Sequence, residues 1–101
     1  MMVEFSIVPL GTGASVSPVI ARVMKIVTDS GVRYKANPMG TVIEGEWEQL
    51  MELIKKCHDE ALQDAERVVT NIKIDDYKAK GYRLEKKLES VEQKLGQKLN
   101  R

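Results

Sequence analysis

Over the first 75 positions, the spacing of apolar residues switches between the two-residue period of strands and the three- and four-residue spacing of helices. The order in which these two patterns follow each other restricts the fold more than any other feature of the sequence. Apolar and polar residues alternate over 3–9 and about 67–74, as in half-buried strands, and two shorter strand-like segments lie within 32–45. Three- and four-residue spacing, typical of amphipathic helices, begins near residue 17 and again near residue 46. The order βαββαβ predicts an α+β, ferredoxin-like sandwich, with two helices on one face of a four-stranded antiparallel sheet.

Residues with special backbone preferences mark the ends of these elements. Ser17 followed by Pro18 predicts the N-cap and first residue of the first helix, because the N–H that proline lacks has no partner there. Gly31 predicts a left-handed stop after that helix. The segment 37–40 (Asn-Pro-Met-Gly) predicts the turn between the second and third strands.

Length and charge limit the classes of protein that the chain can represent. With 101 residues we expect one ferredoxin-like domain, with its core over about 1–76 and a C-terminal oligomerisation helix over about 81–99. The 16 Lys and Arg nearly balance the 15 Asp and Glu, which argues against nucleic-acid binding. No apolar run reaches the roughly 18 residues of a membrane span, and no signal peptide is visible. We therefore expect a cytoplasmic protein that binds neither nucleic acid nor membrane.

The C-terminal segment carries an apolar seam that the sandwich does not need. Leu84, Leu88, Val91 and Leu95 follow steps of four, three and four residues, which is a heptad pattern. Because the first two helices already cover the inner sheet face, we expect this helix to pack against another subunit. The alternatives are packing across the open sheet face or against its own domain.

Strand parity predicts that a group of polar residues shares the open sheet face. Phe5, Ile43 and Ile72 should face the helices, so their neighbours in each strand should face outward. The outward polar residues are Glu4, Ser6, Glu44, Asn71 and Lys73. If a second subunit covers this face, its carboxylates need partners or a ligand, since an unpaired buried charge is costly. The alternative is a solvated face without a ligand, on which Lys73 neutralises a carboxylate.

The loop at 11–15 (Gly-Thr-Gly-Ala-Ser) joins a strand to a helix, where backbone N–H groups can bind an anion. It lacks the Gly-Lys-Ser/Thr ending of a P-loop, and Val16 stands where a dinucleotide-binding loop has its third glycine. We therefore interpret it as a tight turn, with Thr12 and Ser15 at the rim of any site at this sheet edge.

No combination of residues predicts catalysis or metal binding. His58 is the single histidine, and no serine, cysteine or carboxylate completes a nucleophile–base set around it. The single cysteine, Cys57, matches no metal-binding spacing and is expected to be a small buried hydrophobe, with Trp47 also in the core. An enzyme with Glu44 or His58 as general base remains an alternative.

Three segments resemble the family of small thiamine-binding proteins. They are Phe5–Thr12 (FSIVPLGT), Met39–Gly45 (MGTVIEG) and Arg67–Asp75 (RVVTNIKID), and the likeness extends over essentially the whole chain. The resemblance implies a ferredoxin-like subunit that dimerises through its sheet and often forms a tetramer. It also implies non-enzymatic binding of thiamine or its hydroxymethylpyrimidine moiety near a subunit interface, with no other cofactor.

Strand parity and this ligand chemistry together suggest six ligand-binding residues: Ser6, Thr12, Met39, Thr41, Glu44 and Asn71. The Glu44 carboxylate would offset the thiazolium cation or accept from the pyrimidine amino group, so Glu44→Gln is expected to weaken binding. The hydroxyls and the amide would pair with the pyrimidine edge, and Met39 would form an apolar wall. Strict alternation nevertheless points Thr41 toward the helices.

A second function fits the same residues. A structural or regulatory oligomeric module would use the same fold to bind another small metabolite, such as an amino acid. A stability screen with several ligands separates this alternative from thiamine binding.

The seam predicts that replacing Leu88 and Val91 together with lysine lowers the oligomeric state. Charges placed in an intersubunit seam would lose hydration without gaining partners. Light scattering measures the mass, and an unchanged mass would contradict the seam.

Overall fold

The computed structural model describes residues 1–11, 16–78 and 84–101 and contains the four predicted strands. The strands are β1 (Met2–Leu10), β2 (Arg33–Asn37), β3 (Gly40–Glu44) and β4 (Arg67–Asp75). The helices are α1 (Ser17–Asp29), α2 (Trp47–Leu62) and α3 (Lys86–Leu95). Neighbouring strands are antiparallel in the order β2-β3-β1-β4. The ferredoxin-like fold with an additional C-terminal helix is therefore confirmed.

The core lies between α1, α2 and one face of the sheet. The odd-numbered residues Val3, Phe5 and Ile7 of β1 are buried, and the fully buried Ile43 extends this layer onto β3. The helices contribute stripes of buried apolar residues at the predicted three- and four-residue spacing: Val19, Val23 and Val27 from α1, and Leu50, Leu53, Ile54, Cys57 and Ala61 from α2. Removal of this apolar surface from water is the main force that holds the helices on the sheet.

The ends of the helices differ in two places from the prediction. Ser17 is the first helical residue and not the N-cap, a position that Val16 occupies without a side-chain hydrogen bond. Trp47 is 51% exposed and lies outside the core. Because helical side chains tilt toward the N-terminus, this first residue of α2 projects beyond the helix end. Gly31 has the predicted left-handed conformation, with φ of +78°.

Helix α3 begins over the outer face of the sheet. The Leu84 N–H donates to Glu44 Oε2 at 2.8 Å, and Lys87 Nζ donates to Asp75 Oδ2 at 3.1 Å. A cavity of about 360 Å³ separates this helix from the sheet and is bordered by Leu84 and Leu88. The first half of the apolar seam thus faces the chain's own sheet.

The second half of the seam has little cover within the chain. Val91 is 48% exposed and Leu95 is 53% exposed. The observed helix, Lys86–Leu95, lies within the range predicted from sequence, of which 81–83 are outside the described residues. Its packing against a second subunit stays a prediction.

The residues after α3 fold back along the helix. Gly96 ends α3 with φ of +83°, and its N–H donates to Glu92 O at 2.8 Å. The Glu92 carboxylate accepts from the Leu99 N–H at 2.7 Å and from Arg101 Nη2 at 3.0 Å. These contacts, the Leu99 N–H first, lower the pKa of the Glu92 carboxyl against the opposing effect of burial.

The contacts of the Glu92 carboxylate with Leu99 and Arg101 are here called the C-terminal clasp. We predict that acid opens this clasp and releases the C-terminal residues. The pKa of the Glu92 carboxyl is lower when the clasp is closed, so the ionised carboxylate stabilises the closed clasp. This stabilisation is complete above the ordinary carboxyl pKa of about 4.3 and is lost as the pH falls through the lowered pKa. Glu92→Gln should accelerate hydrogen exchange of the Leu99 amide several-fold at neutral pH, as measured by NMR. Glu89→Gln, on the same helix, is the matched control. Equal exchange in wild type and Glu92→Gln would exclude the clasp.

Candidate functional site

The strand register brings the predicted polar residues onto one face. Ser6 of β1 lies opposite Asn71 of β4, Glu4 lies opposite Lys73, and Met2 lies opposite Glu44 of β3. Directly opposed residues of neighbouring strands share a face. On β1 these are the even-numbered residues, and the odd-numbered residues between them are buried beneath the helices. The predicted sharing of the outer face is therefore confirmed.

A cavity of about 340 Å³, here called the outer cavity, opens between β1 and β4 on this face. Its polar side chains are Glu4, Ser6, Asn71 and Lys73, and Met39 from the β2–β3 turn forms an apolar side. The outer cavity therefore combines two opposite charges with a hydroxyl and an amide.

A second cavity of about 450 Å³, the inner cavity, lies beside the start of α1 and the β2–β3 turn. Phe5, Ser6 and Met39 line both cavities, so the two adjoin at these residues. The rest of the inner lining is mainly apolar, with Ile20 and Met24 from α1. Mostly apolar walls with a few polar groups are typical of small-molecule sites.

The inner cavity forms where β3 stops short of the end of β1. Met1 and Gly45 exchange main-chain hydrogen bonds of 2.8 and 3.0 Å, so odd-numbered residues of β1 direct their N–H and C=O groups toward β3. The pairing with β3 reaches only Phe5, which leaves Ile7 and Pro9 with no strand on this side within the described residues. Ile7 and Pro9 both line the inner cavity, so the Ile7 N–H and C=O are directed toward it.

Proline is compatible with this position because its missing N–H would have faced the unpaired edge. The sequence predicted that Pro9 would end the strand, whereas β1 continues to Leu10. Hydrogen bonding to β4 on the opposite edge is unaffected, and the register continues through Leu10 and Arg67.

Thr41 faces the helices, as strict alternation predicted. It is 7% exposed, and its Oγ1 donates to Met24 Sδ at 3.5 Å. It lines the inner cavity together with Ser6 and Met39.

Glu44 is separated from both cavities. It lies opposite Met2, at the other end of β1 from the cavities, and its side chain is 15% exposed. Its carboxylate accepts a hydrogen bond from the Leu84 N–H and lies 3.9 Å from Arg33 Nε. The structure therefore groups Ser6, Met39, Thr41 and Asn71 around the two cavities but leaves Glu44 beneath the start of α3. Thr12, like Ser15, lies outside the described residues.

Two residues of the site were not among the ligand-binding residues predicted from sequence. Glu4 and Lys73 line the outer cavity, although parity had placed them only on the same face. Gly40 lines the inner cavity, and an added Cβ would come within 3.2 Å of the Phe5 carbonyl oxygen and 3.5 Å of Glu4 Cγ. The alternation of residues along each strand placed Glu4 and Lys73 on the outer face. That they border one cavity could be seen only from the register between the strands.

The two residues with the most reactive side chains lie on α2, away from both cavities. His58 Nδ1 and Thr70 Oγ1 are 2.6 Å apart, which ties α2 to β4. Burial raises the pKa of the Cys57 thiol to about 11, and its Sγ donates to Val23 O at 3.8 Å. A thiol with this pKa is almost wholly protonated at neutral pH and is a poor nucleophile.

Metal-binding and membrane-spanning features were sought within residues 1–11, 16–78 and 84–101. No group of three His, Cys, Asp or Glu side chains there is arranged to hold a metal ion. No helix in these ranges combines the length and apolar character needed to cross a bilayer.

The fold and the cavities together define a class: a small ferredoxin-like protein with two adjoining cavities at the end of its sheet. Residues 3–92 match the family described as thiamine-binding protein. The chain belongs to this family, which confirms the resemblance seen in its sequence.

Relatives within the family extend over nearly the whole chain. UPF0045 protein YqgV of Bacillus subtilis is 40% identical over 98 residues, which cover 91% of this chain and 94% of the relative. The crystal structure of the hypothetical protein MJ1052 from Methanocaldococcus jannaschii superposes with a TM-score of 0.83 at 37% identity, covering 89% and 93% of the two chains.

One structural neighbour carries a provisional role. A Thermotoga maritima protein assigned provisionally to thiamine biosynthesis or salvage superposes with a TM-score of 0.76 at 31% identity, covering 89% of this chain and 96% of the neighbour. The family description and this neighbour support a small-molecule binding role.

The buried thiol predicts that Cys57 of the folded protein reacts slowly with thiol reagents. With its pKa at about 11, the thiolate fraction at pH 8 is about a hundredfold below that of an ordinary cysteine. Reaction with a chromogenic disulfide should therefore be at least that much slower in native protein than in denaturant. Comparable rates in both states would show that Cys57 is accessible and ionised.

Proposed function

We propose that this protein binds thiamine or its hydroxymethylpyrimidine moiety, without catalysis, in the adjoining inner and outer cavities. The observation that carries the proposal is the continuity of the two cavities at Ser6 and Met39, one mainly apolar and the other polar and charged. Thiamine has the same division, with an uncharged aminopyrimidine ring on one side and a cationic thiazolium on the other.

The inner cavity suits the pyrimidine ring. Phe5 and Met24 offer apolar walls, and the main-chain N–H and C=O of Ile7 offer a donor and an acceptor side by side. An aminopyrimidine edge carries the complementary pair, a ring-nitrogen acceptor and an amino donor. The Ser6 hydroxyl, at the junction of the cavities, can donate or accept.

The outer cavity would then hold the thiazolium, with the Asn71 amide at its edge. It lies on the part of the outer face that α3 leaves uncovered. A second subunit placed there would enclose the ligand, in accord with binding near a subunit interface in a dimer or tetramer. We further propose that the protein acts in the cytoplasm.

Thermal unfolding with thiamine, hydroxymethylpyrimidine and thiamine phosphate tests the proposal. A ligand at about 100 times its dissociation constant adds about 2.7 kcal/mol to the free energy of unfolding. For a chain of this size that is an increase in Tm on the order of ten degrees. No increase with any of the three compounds would contradict thiamine binding, and an increase with an amino acid would favour the regulatory module instead.

A matched pair of serine variants tests the location. Ser6→Ala should weaken binding roughly fivefold, because one neutral hydrogen bond is lost. Ser90→Ala, on the exposed side of α3, should leave the affinity unchanged. Titration calorimetry measures both, and equal affinities in the two variants would place the ligand elsewhere.

A further inference from the structure

We propose that Glu4 and Lys73 make the site selective for a ligand with both a fixed cation and a phosphate, namely a thiamine phosphate ester in preference to thiamine. This inference rests on the proposed function and specifies the ligand class for the outer cavity. It transfers the role of the cation-binding carboxylate from Glu44 to Glu4.

The two side chains are placed to form a pair but do not do so. Glu4 and Lys73 are directly opposite each other on β1 and β4, a position in which Cβ atoms are about 5 Å apart. Among the described residues, neither has an ion-pair partner within 4.0 Å or a hydrogen bond from its side chain. Both line the outer cavity, so the two opposite charges border the same space.

Three other charged side chains on this face are already engaged. The Glu44 carboxylate accepts the Leu84 N–H, Arg33 contacts Glu85, and Asp75 accepts from Lys87. All three contacts involve the start of α3, which covers that end of the sheet. A ligand cation at the outer cavity would therefore meet the Glu4 carboxylate, whereas Glu44 is turned toward α3.

Because Glu4 and Lys73 form no ion pair with each other, a ligand can engage both side chains without first breaking a contact between them. The carboxylate attracts the thiazolium, and the ammonium attracts a phosphate through charge-assisted hydrogen bonds. Thiamine itself would satisfy only Glu4 and would bring its cation toward Lys73. A phosphate ester satisfies both residues, while the neutral hydroxymethylpyrimidine depends on neither.

Affinities of three compounds for wild type and four variants test the inference by titration calorimetry at low salt. The compounds are hydroxymethylpyrimidine, thiamine and thiamine monophosphate, and the variants are Glu4→Gln, Lys73→Gln, Glu44→Gln and Lys35→Gln. Wild type should prefer the phosphate ester over thiamine roughly fivefold, and high salt should reduce this preference. Lys73→Gln should abolish the preference without weakening thiamine.

The variants distinguish the two carboxylates. Glu4→Gln should weaken both thiazolium-containing compounds roughly fivefold and leave hydroxymethylpyrimidine unchanged. Glu44→Gln and the matched lysine control Lys35→Gln, at the α3 cavity, should change none of the three affinities. Unchanged melting temperatures without ligand would confirm that all four variants are folded.

The outcomes separate this inference from the proposed function. If wild type binds hydroxymethylpyrimidine and thiamine but does not prefer the phosphate ester, the selectivity is wrong and thiamine binding stands. A preference that survives Lys73→Gln, or a loss that follows Glu44→Gln and not Glu4→Gln, likewise overturns the assignment of these residues. Binding of none of the three compounds would overturn both proposals.

Discussion

The rest of the structure depends on the pairing of β1 with two strands of unequal length. β4 pairs with all nine residues of β1, whereas the pairing with β3 ends at Phe5. The long ladder keeps β1 extended through Pro9, because the N–H that proline lacks would lie on the unpaired edge. The space beyond the end of β3 becomes the inner cavity, beside main-chain groups of Ile7 that have no strand opposite them within the described residues. One mismatch in strand length thus accounts for both the cavity and the polar groups directed toward it.

Helix α3 divides the outer face into two halves with different electrostatics. At the covered end, Glu44 is held by the Leu84 N–H and lies near Arg33. At the open end, Glu4 and Lys73 face each other across a cavity without forming an ion pair. Glu4 and Glu44 thus lie on the same face but differ in their capacity to bind a ligand. A carboxylate that already accepts hydrogen bonds from its own chain has less capacity left for one.

Much of the fold could be predicted from sequence, because the period of apolar residues reflects local backbone geometry. The element order, the buried stripes of α1 and α2 and the inward position of Thr41 followed in this way. The candidate site could be predicted only in part. Ser6, Met39 and Asn71 line the outer cavity, whereas Glu44 lies opposite Met2 and outside it, since parity assigns a residue to a face and not to a position along the strand. The exposure of Trp47 was missed because helical spacing assigns a residue to the apolar face but does not show how far along the helix that face is covered.

The sequence by itself determined the order of the elements, the face that each strand residue occupies and the family to which the chain belongs. Only the tertiary structure decided which polar residues share a cavity and which are engaged by the chain itself. The physical reason is that both outcomes depend on contacts between distant segments, such as the Leu84–Glu44 hydrogen bond across 40 positions. The period of a strand or helix arises from neighbouring residues, whereas strand register and helix docking arise from the packing of the whole chain.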